Sequence, residues 1–418
     1  MSIKKIFSCL LAAIPLFLLF SCGGSASDSS ISFPDSVSDS VSDSVSDSVS
    51  SSETSSDGES HTHTFGDWRE TLAKTCVRDG MQTRECTICG YSETQSLPAS
   101  GHSFSDGVCG SCGTAEPTDG LVYELSQDGS HYLCTGIGTA GTTIVVSDFF
   151  EGKRVTEIAS GAFQESGLVS VTVPAGIEKI GGGAFYLCKT LTAVTLCEGL
   201  TQIGANAFSR CAFSSFSMPD TLLTVGTGAF QQCTKLRKIN FSQTLESIGN
   251  SAFQGCTTLT AIALPDSLTQ IGQNAFYGCL RLSSLTLPSA LAKISANTFT
   301  GCSSLSALVL PNDLKEIGAG AFSGCAKLSS LYINGKLEKI SRNAFSACSR
   351  LSYVVLPESV KRIENNAFEK TAVYSLCQIK PSEWSETISE KNVYLYSETA
   401  PAAEGNYWRY TDGVPVPW

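Results

Sequence analysis

Apolar residues recur at a fixed interval along about half of this 418-residue chain. Each repeat is marked by a Phe that usually follows Ala, and consecutive Phe residues lie 22 or 23 positions apart. These residues are Phe163, Phe185, Phe208, Phe230, Phe253, Phe276, Phe299, Phe322, Phe345 and Phe368. A fixed period of this length indicates a solenoid, in which each coil buries its apolar face against its neighbours.

The repeat that begins at Phe253 shows how one coil is built. Its inward-facing positions are Leu259, Ile262 and Leu264 on one short strand, which Pro265 ends, and Leu268 and Ile271 on the opposite wall. Two positions before each Phe, the chain carries residues that cap helical turns or tolerate a positive φ. They are Gly183, Asn206, Gly228, Ser251, Asn274, Asn297, Gly320, Asn343 and Asn366. The pattern predicts a short helical or 3-10 turn at each corner.

The repeat pattern LxxLxLPxxLxxIGxxAFxxC resembles the BspA-like leucine-rich repeat of bacterial surface proteins. The resemblance covers about residues 121–418 and implies a right-handed leucine-rich-repeat solenoid of short parallel strands. We predict an N-terminal cap over 119–155, repeats over 156–380 and a C-terminal cap over 381–418. In the first cap, the alternation around Asp128-Gly129 predicts a hairpin.

A thiol recurs three positions after most of the repeat Phe residues. The ladder comprises Cys188, Cys211, Cys233, Cys256, Cys279, Cys302, Cys325 and Cys348. In-register side chains keep their Cβ atoms about 4.8 Å apart, whereas a disulfide prefers about 3.8 Å. No His or carboxylate recurs beside the ladder at a ligand-like position, and Ser166 and Thr371 occupy the same column at its two ends. We therefore expect small buried thiols, with scattered disulfides or a metal as the alternatives.

Residues 61–118 form a Cys/His module in which structural zinc is predicted. Two CxxCG motifs, at Cys86–Gly90 and Cys109–Gly113, have the spacing of a site with four thiolate ligands. A second partition divides the candidates into two units, His63, Cys76, Cys86 and Cys89, and His102, Cys109 and Cys112. The module is similar to zinc-ribbon-like modules found beside such repeats in exported bacterial proteins. Disulfides are the alternative, although the five cysteines are odd in number.

The outward positions of the repeat strands lack the residues of an enzyme. They are mostly Ser, Thr and Ala, and none is Asp, Glu or His; the chain has no His after His131. This excludes a Ser-His-Asp triad and a glycosidase carboxylate pair from this wall. We predict no catalytic residue and no cofactor in the solenoid.

Two groups of outward residues depart from that composition and are candidate ligand contacts. One is the basic pair Arg237 and Lys238, and the other is a patch of Val309, Tyr332, Tyr353 and Val355. Exposed Tyr and Arg often carry binding energy at interfaces. Tyr and Val are also good strand formers, which would explain the patch without a ligand.

The N-terminus has the pattern of an exported lipoprotein. Residues 1–21 combine Lys4 and Lys5 with a short apolar run, and "LLFSC" resembles a lipobox in which Cys22 is lipidated. Residues 22–60, rich in Ser and Asp, predict a disordered spacer. We expect a membrane-anchored protein at the bacterial cell surface, with the lipid on Cys22 as its anchor.

Composition narrows the class of partner. The formal net charge is −11, which argues against nucleic acid because a phosphate-binding domain needs a basic face. The predicted function is a surface-anchored adhesion protein whose solenoid binds an extracellular protein of a host, a matrix or a microbe. The alternatives are an envelope-organising protein without a specific ligand and a polysaccharide-binding accessory protein.

Overall fold

The computed structural model describes residues 62–76, 79–113, 115–333, 335–385, 393–399, 401, 405–411 and 414–418. The predicted signal peptide, the lipidation site Cys22 and the predicted spacer 22–60 lie outside the described residues. The described residues form two compact units, one with those of 62–69 and 83–94 and the other with those of 70–82 and 95–418. In the described ranges the chain forms strands and turns, and no helix there could cross a membrane.

Five short strands precede the repeats. They are β1 (Arg69–Leu72), β2 (Gly80–Glu85), β3 (Ser92–Leu97), β4 (Phe104–Ser105) and β5 (Val108–Cys109). Strands β4 and β5 pair in antiparallel fashion. In the smaller unit, Arg84 on β2 forms an ion pair of 2.7 Å with Glu93 on β3.

The solenoid begins with the predicted hairpin, which is confirmed. Strands β6 (Val122–Leu125) and β7 (Tyr132–Gly136) are antiparallel neighbours, and Asp128-Gly129 lies in the turn between them. The Asp128 carboxylate accepts a hydrogen bond from the backbone N–H of Ser130 at 3.0 Å. Parallel pairing between successive coils begins at β7, which pairs with β10 (Lys153–Ile158) in the same direction.

One side of the solenoid, the long-strand wall, consists of strands that are mostly three or four residues long. Its members are β8 (Thr143–Val145), β11 (Ser170–Val173), β13 (Ala193–Leu196), β15 (Ser215–Ser217), β17 (Lys238–Asn240), β19 (Ala261–Ala263), β21 (Ser284–Thr286), β23 (Ala307–Val309), β25 (Ser330–Tyr332), β27 (Tyr353–Leu356) and β29 (Ala372–Ser375). Their pairs are parallel and in register, as in Ile262 opposite Leu285. The register places equivalent residues of successive coils side by side.

The opposite side, the short-strand wall, continues from β10 in two-residue strands. They are β12 (Lys179–Ile180), β14 (Gln202–Ile203), β16 (Thr224–Val225), β18 (Ser247–Ile248), β20 (Gln270–Ile271), β22 (Lys293–Ile294), β24 (Glu316–Ile317), β26 (Lys339–Ile340) and β28 (Arg362–Ile363). The second residue of each strand is a buried Ile or Val, and the first is polar. A short strand β9 (Phe149–Phe150) pairs with β10 near the N-terminal end. This two-walled architecture confirms the predicted solenoid of parallel strands.

The core between the walls is a continuous stack of the repeat Phe rings. Phe253, Phe276 and Phe299 are fully buried, and their ring centroids are 5.1 Å and 5.4 Å apart with nearly parallel planes. The ladder cysteines lie beneath this stack and are all buried. Each ladder thiol lies within hydrogen-bonding distance of the carbonyl oxygen of the preceding coil's Phe, for example Cys256 Sγ to Phe230 O at 3.2 Å. The predicted burial of the thiols is confirmed.

The corners are made of turns closed by hydrogen bonds between residues i and i+3. In one coil, the N–H of Tyr277 donates to the carbonyl of Asn274 at 3.0 Å, and that of Cys279 donates to Phe276 at 3.2 Å. Asn274 has a φ of 56°, and every residue predicted for this column has a positive φ. A second column, immediately before the thiol, also has a positive φ although it holds larger residues in several coils, such as Leu187 and Arg210.

The C-terminal end continues the long-strand wall beyond the last repeat. Strands β30 (Val393–Tyr396) and β31 (Tyr407–Thr411) add to β29 in parallel, and β32 (Val414–Pro417) closes the sheet in antiparallel pairing. Trp408 is fully buried under this sheet. On the other wall, Trp384 is buried beside β28, where its indole N–H donates to the carbonyl of Val360 at 3.2 Å. Large aromatic residues therefore cover the end of the core.

Candidate functional site

The outer surface of the long-strand wall is where the structure places the predicted ligand contacts. Val309, Tyr332 and Tyr353 are exposed by 60%, 48% and 44%, and Val355 is half-buried. Val309 lies directly opposite Tyr332 in the strand register. These four residues, the tyrosine patch, interrupt a surface composed mostly of Ser, Thr and Ala.

The tyrosine patch continues into aromatic residues that sequence reasoning missed. Val355 lies opposite Tyr374, and Tyr374 lies opposite Tyr394, so all three share one column across the sheet. The rings of Tyr353 and Tyr374 are 6.0 Å apart, and those of Tyr374 and Tyr394 are 5.0 Å apart. Tyr374 is buried and supports its exposed neighbour Tyr353. For Tyr394 the signal was the aromatic run "VYLY" at 393–396, which is attributed to a cap when the repeat alone is considered.

The basic pair lies far from this patch along the solenoid. Arg237 and Lys238 are exposed at the start of β17, and the patch begins three coils later at β23. The structure therefore does not bring the two predicted groups of contacts together.

The Cys/His module forms two clusters of possible metal ligands. One contains Cys76, His102, Cys109 and Cys112, and the other contains His63, Cys86 and Cys89; within each, the ligand atoms lie within 4.8 Å of one another. The two CxxCG motifs thus fall in separate clusters. Cys76 joins the second motif, which differs from both partitions considered from the sequence.

The four-residue cluster has short distances between its ligand atoms. The Sγ atoms of Cys76 and Cys109 are 3.8 Å apart, and Cys112 Sγ is 3.4 Å from Nδ1 of His102. On the other side of the imidazole, Nε2 lies 2.5 Å from Oδ2 of Asp148, and both side chains are almost completely buried. Asp148 comes from the chain between β8 and β9, and no sequence spacing pointed to it.

The surroundings of this cluster raise the pKa of some of its side chains and lower that of others. Burial, with hydrogen bonds to neighbouring thiols, raises the pKa of Cys76 to about 11. A hydrogen bond with His102 and several backbone N–H groups lower the pKa of Cys109 to about 5. Burial lowers the pKa of His102, but hydrogen bonds with Asp148 and Cys109 outweigh it and bring the pKa to about 9. Without a metal, Cys109 is therefore largely a thiolate and His102 is largely protonated at pH 7.

The three-residue cluster belongs to the smaller unit. Cys89 Sγ is 3.4 Å from Nδ1 of His63, and Cys86 is buried beside them. The His63 ring stacks on Tyr91 with centroids 4.8 Å apart. The described part of the chain supplies three ligands to this cluster, one fewer than a closed structural zinc site uses.

The repeat region matches the family model described as the BspA type leucine rich repeat region, over residues 156–282 and 269–391 and in six copies. No curated protein matches the chain.

Among solved structures, the chain is similar to a leucine-rich repeat protein of T. pallidum, with 30% identity and a TM-score of 0.39, over 51% of this chain and 89% of that one. It is also similar to the pneumococcal vaccine antigen PcpA, with 20% identity and a TM-score of 0.42, over 67% of this chain and 93% of that one. A third similar structure is a leucine-rich cell surface protein from Faecalibacterium prausnitzii, with 22% identity and a TM-score of 0.37, over 61% of this chain and 87% of that one.

Proposed function

Because the chain belongs to the BspA-type leucine-rich repeat family, a family of surface proteins, we propose that it is an exported bacterial surface protein whose solenoid binds an extracellular protein. Family members are typically non-enzymatic scaffolds, so the chemistry to account for is recognition. The observation that carries the proposal is the exposed tyrosine patch on the long-strand wall, whose other outward residues are mostly small or polar.

The patch has properties that suit a protein partner. Tyr332 and Tyr353 each expose nearly half of their surface, and Tyr supplies a large contact area at a low cost in conformational entropy. The buried ring of Tyr374 holds one of them in place, so less freedom is lost on binding. Trp384 and Trp408 are buried, and the exposed Trp418 lies at the C-terminal end, beyond the repeats. The described repeat strands of the long-strand wall therefore carry no indole that could stack on a sugar.

We expect Tyr332→Ala combined with Tyr353→Ala to weaken binding at least about 30-fold, the loss that corresponds to one interface residue worth about 2 kcal/mol. The melting temperature should change little, because each side chain already exposes nearly half of its surface to solvent. The measurement is the number of beads carrying the full chain that bind to a surface coated with extracellular matrix proteins, as the bead concentration is raised. Tyr277→Ala is the matched control, since Tyr277 is 41% exposed but lies at a corner outside the wall.

The coated surface also separates the classes of partner. Treating the coat with protease should abolish binding, and treating it with periodate, which oxidises sugars, should not. Unchanged binding by the double variant would remove the tyrosine patch from recognition. Binding that survives protease and disappears with periodate would favour a polysaccharide ligand instead.

The proposal includes a lipid anchor on Cys22. Two acyl chains attach a protein stably to a membrane, whereas one chain does not. Replacement of Cys22 by Ser is expected to move the chain from the membrane fraction to the soluble fraction of the producing cells, as measured by immunoblotting of both. A chain that stays in the membrane fraction after this replacement would contradict anchoring through Cys22.

A further inference from the structure

The four-residue cluster has the dimensions of a tetrahedral metal site. With Zn–S bonds of about 2.3 Å and a Zn–N bond of about 2.0 Å, tetrahedral geometry places two sulfurs about 3.8 Å apart and a sulfur and a nitrogen about 3.5 Å apart. The observed distances are 3.8 Å between Cys76 and Cys109 and 3.4 Å between Cys112 and His102. A disulfide would need about 2.05 Å between sulfurs, so these thiols are spaced for a shared cation.

The imidazole is oriented for metal binding by a residue of the solenoid. Nδ1 of His102 faces the thiols, and Nε2 lies 2.5 Å from the Asp148 carboxylate. A carboxylate that accepts the N–H at Nε2 fixes the ring so that Nδ1, once it has lost its proton, presents its lone pair to a metal. His102 and Asp148 expose only 5% and 3% of their side chains, and burying them this way is favourable only because they are paired.

A glycine of the solenoid, Gly176, leaves space for the Asp148 side chain. A Cβ at Gly176 would overlap the Cβ of Asp148, so a residue with a side chain at position 176 would displace the carboxylate. The carbonyl oxygen of Asp148 accepts a hydrogen bond from Val155 N–H on β10 at 2.8 Å. The position of the carboxylate is therefore fixed by the solenoid.

A second connection joins the chain that follows the cluster to the solenoid. Thr118 donates its N–H to the carbonyl of Val145 at 2.9 Å, and the N–H of Val145 donates to the Thr118 hydroxyl at 2.9 Å. This segment thus lies along the edge strand β8. A cation held by the four ligands would be connected to the first coils from two sides.

We propose that Cys76, His102, Cys109 and Cys112 bind one structural Zn²⁺, and that Asp148 orients His102, so that the metal fastens the Cys/His segment to the N-terminal end of the solenoid. Three thiolates and one imidazole are a common ligand set for structural zinc. The inference is independent of the ligand bound by the tyrosine patch.

The first test counts zinc in the full chain purified in the presence of Zn²⁺, by mass spectrometry under non-denaturing conditions. We expect Cys112→Ser to lower the bound zinc by one per chain. Cys89→Ser is the matched control, because it changes the equivalent Cys of the other cluster and should leave this zinc in place. A metal-free wild-type chain with disulfides in the module would overturn the proposal. So would loss of zinc in Cys89→Ser but not in Cys112→Ser.

The second test covers the case in which Cys112→Ser fails to fold. Co²⁺ is added to the Cys89→Ser chain, where the four-residue cluster remains complete, and its visible absorption should show tetrahedral coordination with thiolate charge transfer. Octahedral, thiolate-free absorption would contradict the ligand set.

The role of Asp148 is tested with Asp148→Asn, which preserves the shape of the side chain. We expect a 10–100-fold loss of zinc affinity in competition with a chelator, the usual effect of removing a carboxylate that orients a metal-binding His. Asp220→Asn is the control, since Asp220 is an exposed carboxylate elsewhere in the solenoid. An unchanged zinc affinity in Asp148→Asn would show that the carboxylate does not orient His102.

Discussion

Phe276→Ala is expected to lower the free energy of unfolding by about 3–5 kcal/mol, the usual cost of truncating a fully buried Phe. Phe276 is completely buried and stacks on Phe253 and Phe299. The backbone around it is fixed by hydrogen bonds to the next coil, such as Phe276 N–H to Thr298 O at 2.9 Å. Because these hydrogen bonds keep the corner from collapsing into the cavity, we expect the loss in the free energy of unfolding to lie near the upper end of this range.

The measurement is urea unfolding followed by circular dichroism, with hydrogen exchange to locate the effect. Each coil of a solenoid contacts only its neighbours, so exchange should accelerate most in the coils that contain Phe253, Phe276 and Phe299. Tyr277→Ala is the control: Tyr277 is the adjacent residue but is 41% exposed, and its loss should cost less than about 1 kcal/mol. Equal destabilisation by both variants would refute the role assigned to the Phe stack.

The solenoid could be predicted from sequence because its determinants are local and repeated. A single coil such as 253–275 contains the inward Leu and Ile residues, the Pro after the strand and the Asn at the corner. The positive φ of Asn274 was predictable because Asn tolerates it. The second positive φ, before the thiol, could not be predicted at Leu187 or Arg210, because there the hydrogen bonds to the next coil override the local preference.

The metal cluster shows where sequence reasoning reaches its limit. The Cys and His candidates were identified by residue type and spacing, yet spacing did not show that Cys76 groups with Cys109, 33 positions later. That grouping depends on how the intervening chain folds. Asp148 was inaccessible to the same reasoning, because it belongs to the solenoid and reaches the cluster only through tertiary structure.

The tyrosine patch shows a similar division between local and tertiary information. Tyr332 and Tyr353 were found because each coil has the same outward positions. Tyr374 was missed because it lies in the last coil, which departs from the repeat pattern, and Tyr394 was missed because it lies beyond the repeats, while the sheet continues through β29 and β30. Strand pairing, rather than the sequence repeat, sets the length of this surface.

The ladder thiols are expected to resist alkylation about 10³-fold more than ordinary thiols. Burial raises the pKa of Cys233, Cys302 and Cys348 from 9.0 to about 12. Since the thiolate is the reactive form, three pKa units lower its fraction at pH 8 about 10³-fold. A thiol with a pKa near 9 should approach its maximal rate as the pH rises past 9, whereas the ladder should continue to gain reactivity towards pH 12.

The experiment treats the native full chain with iodoacetamide at several pH values and counts labels by peptide mass spectrometry. Cys377 is the internal control, because it is only partly buried and lies outside the ladder; in urea all of these residues should react. Ladder thiols labelled as fast as Cys377 would contradict their burial in the native chain. Protection that persists in urea but disappears after reduction would reveal disulfides between coils. If the slow labelling ends on unfolding without reduction, packing rather than sulfur chemistry accounts for the repeated Cys.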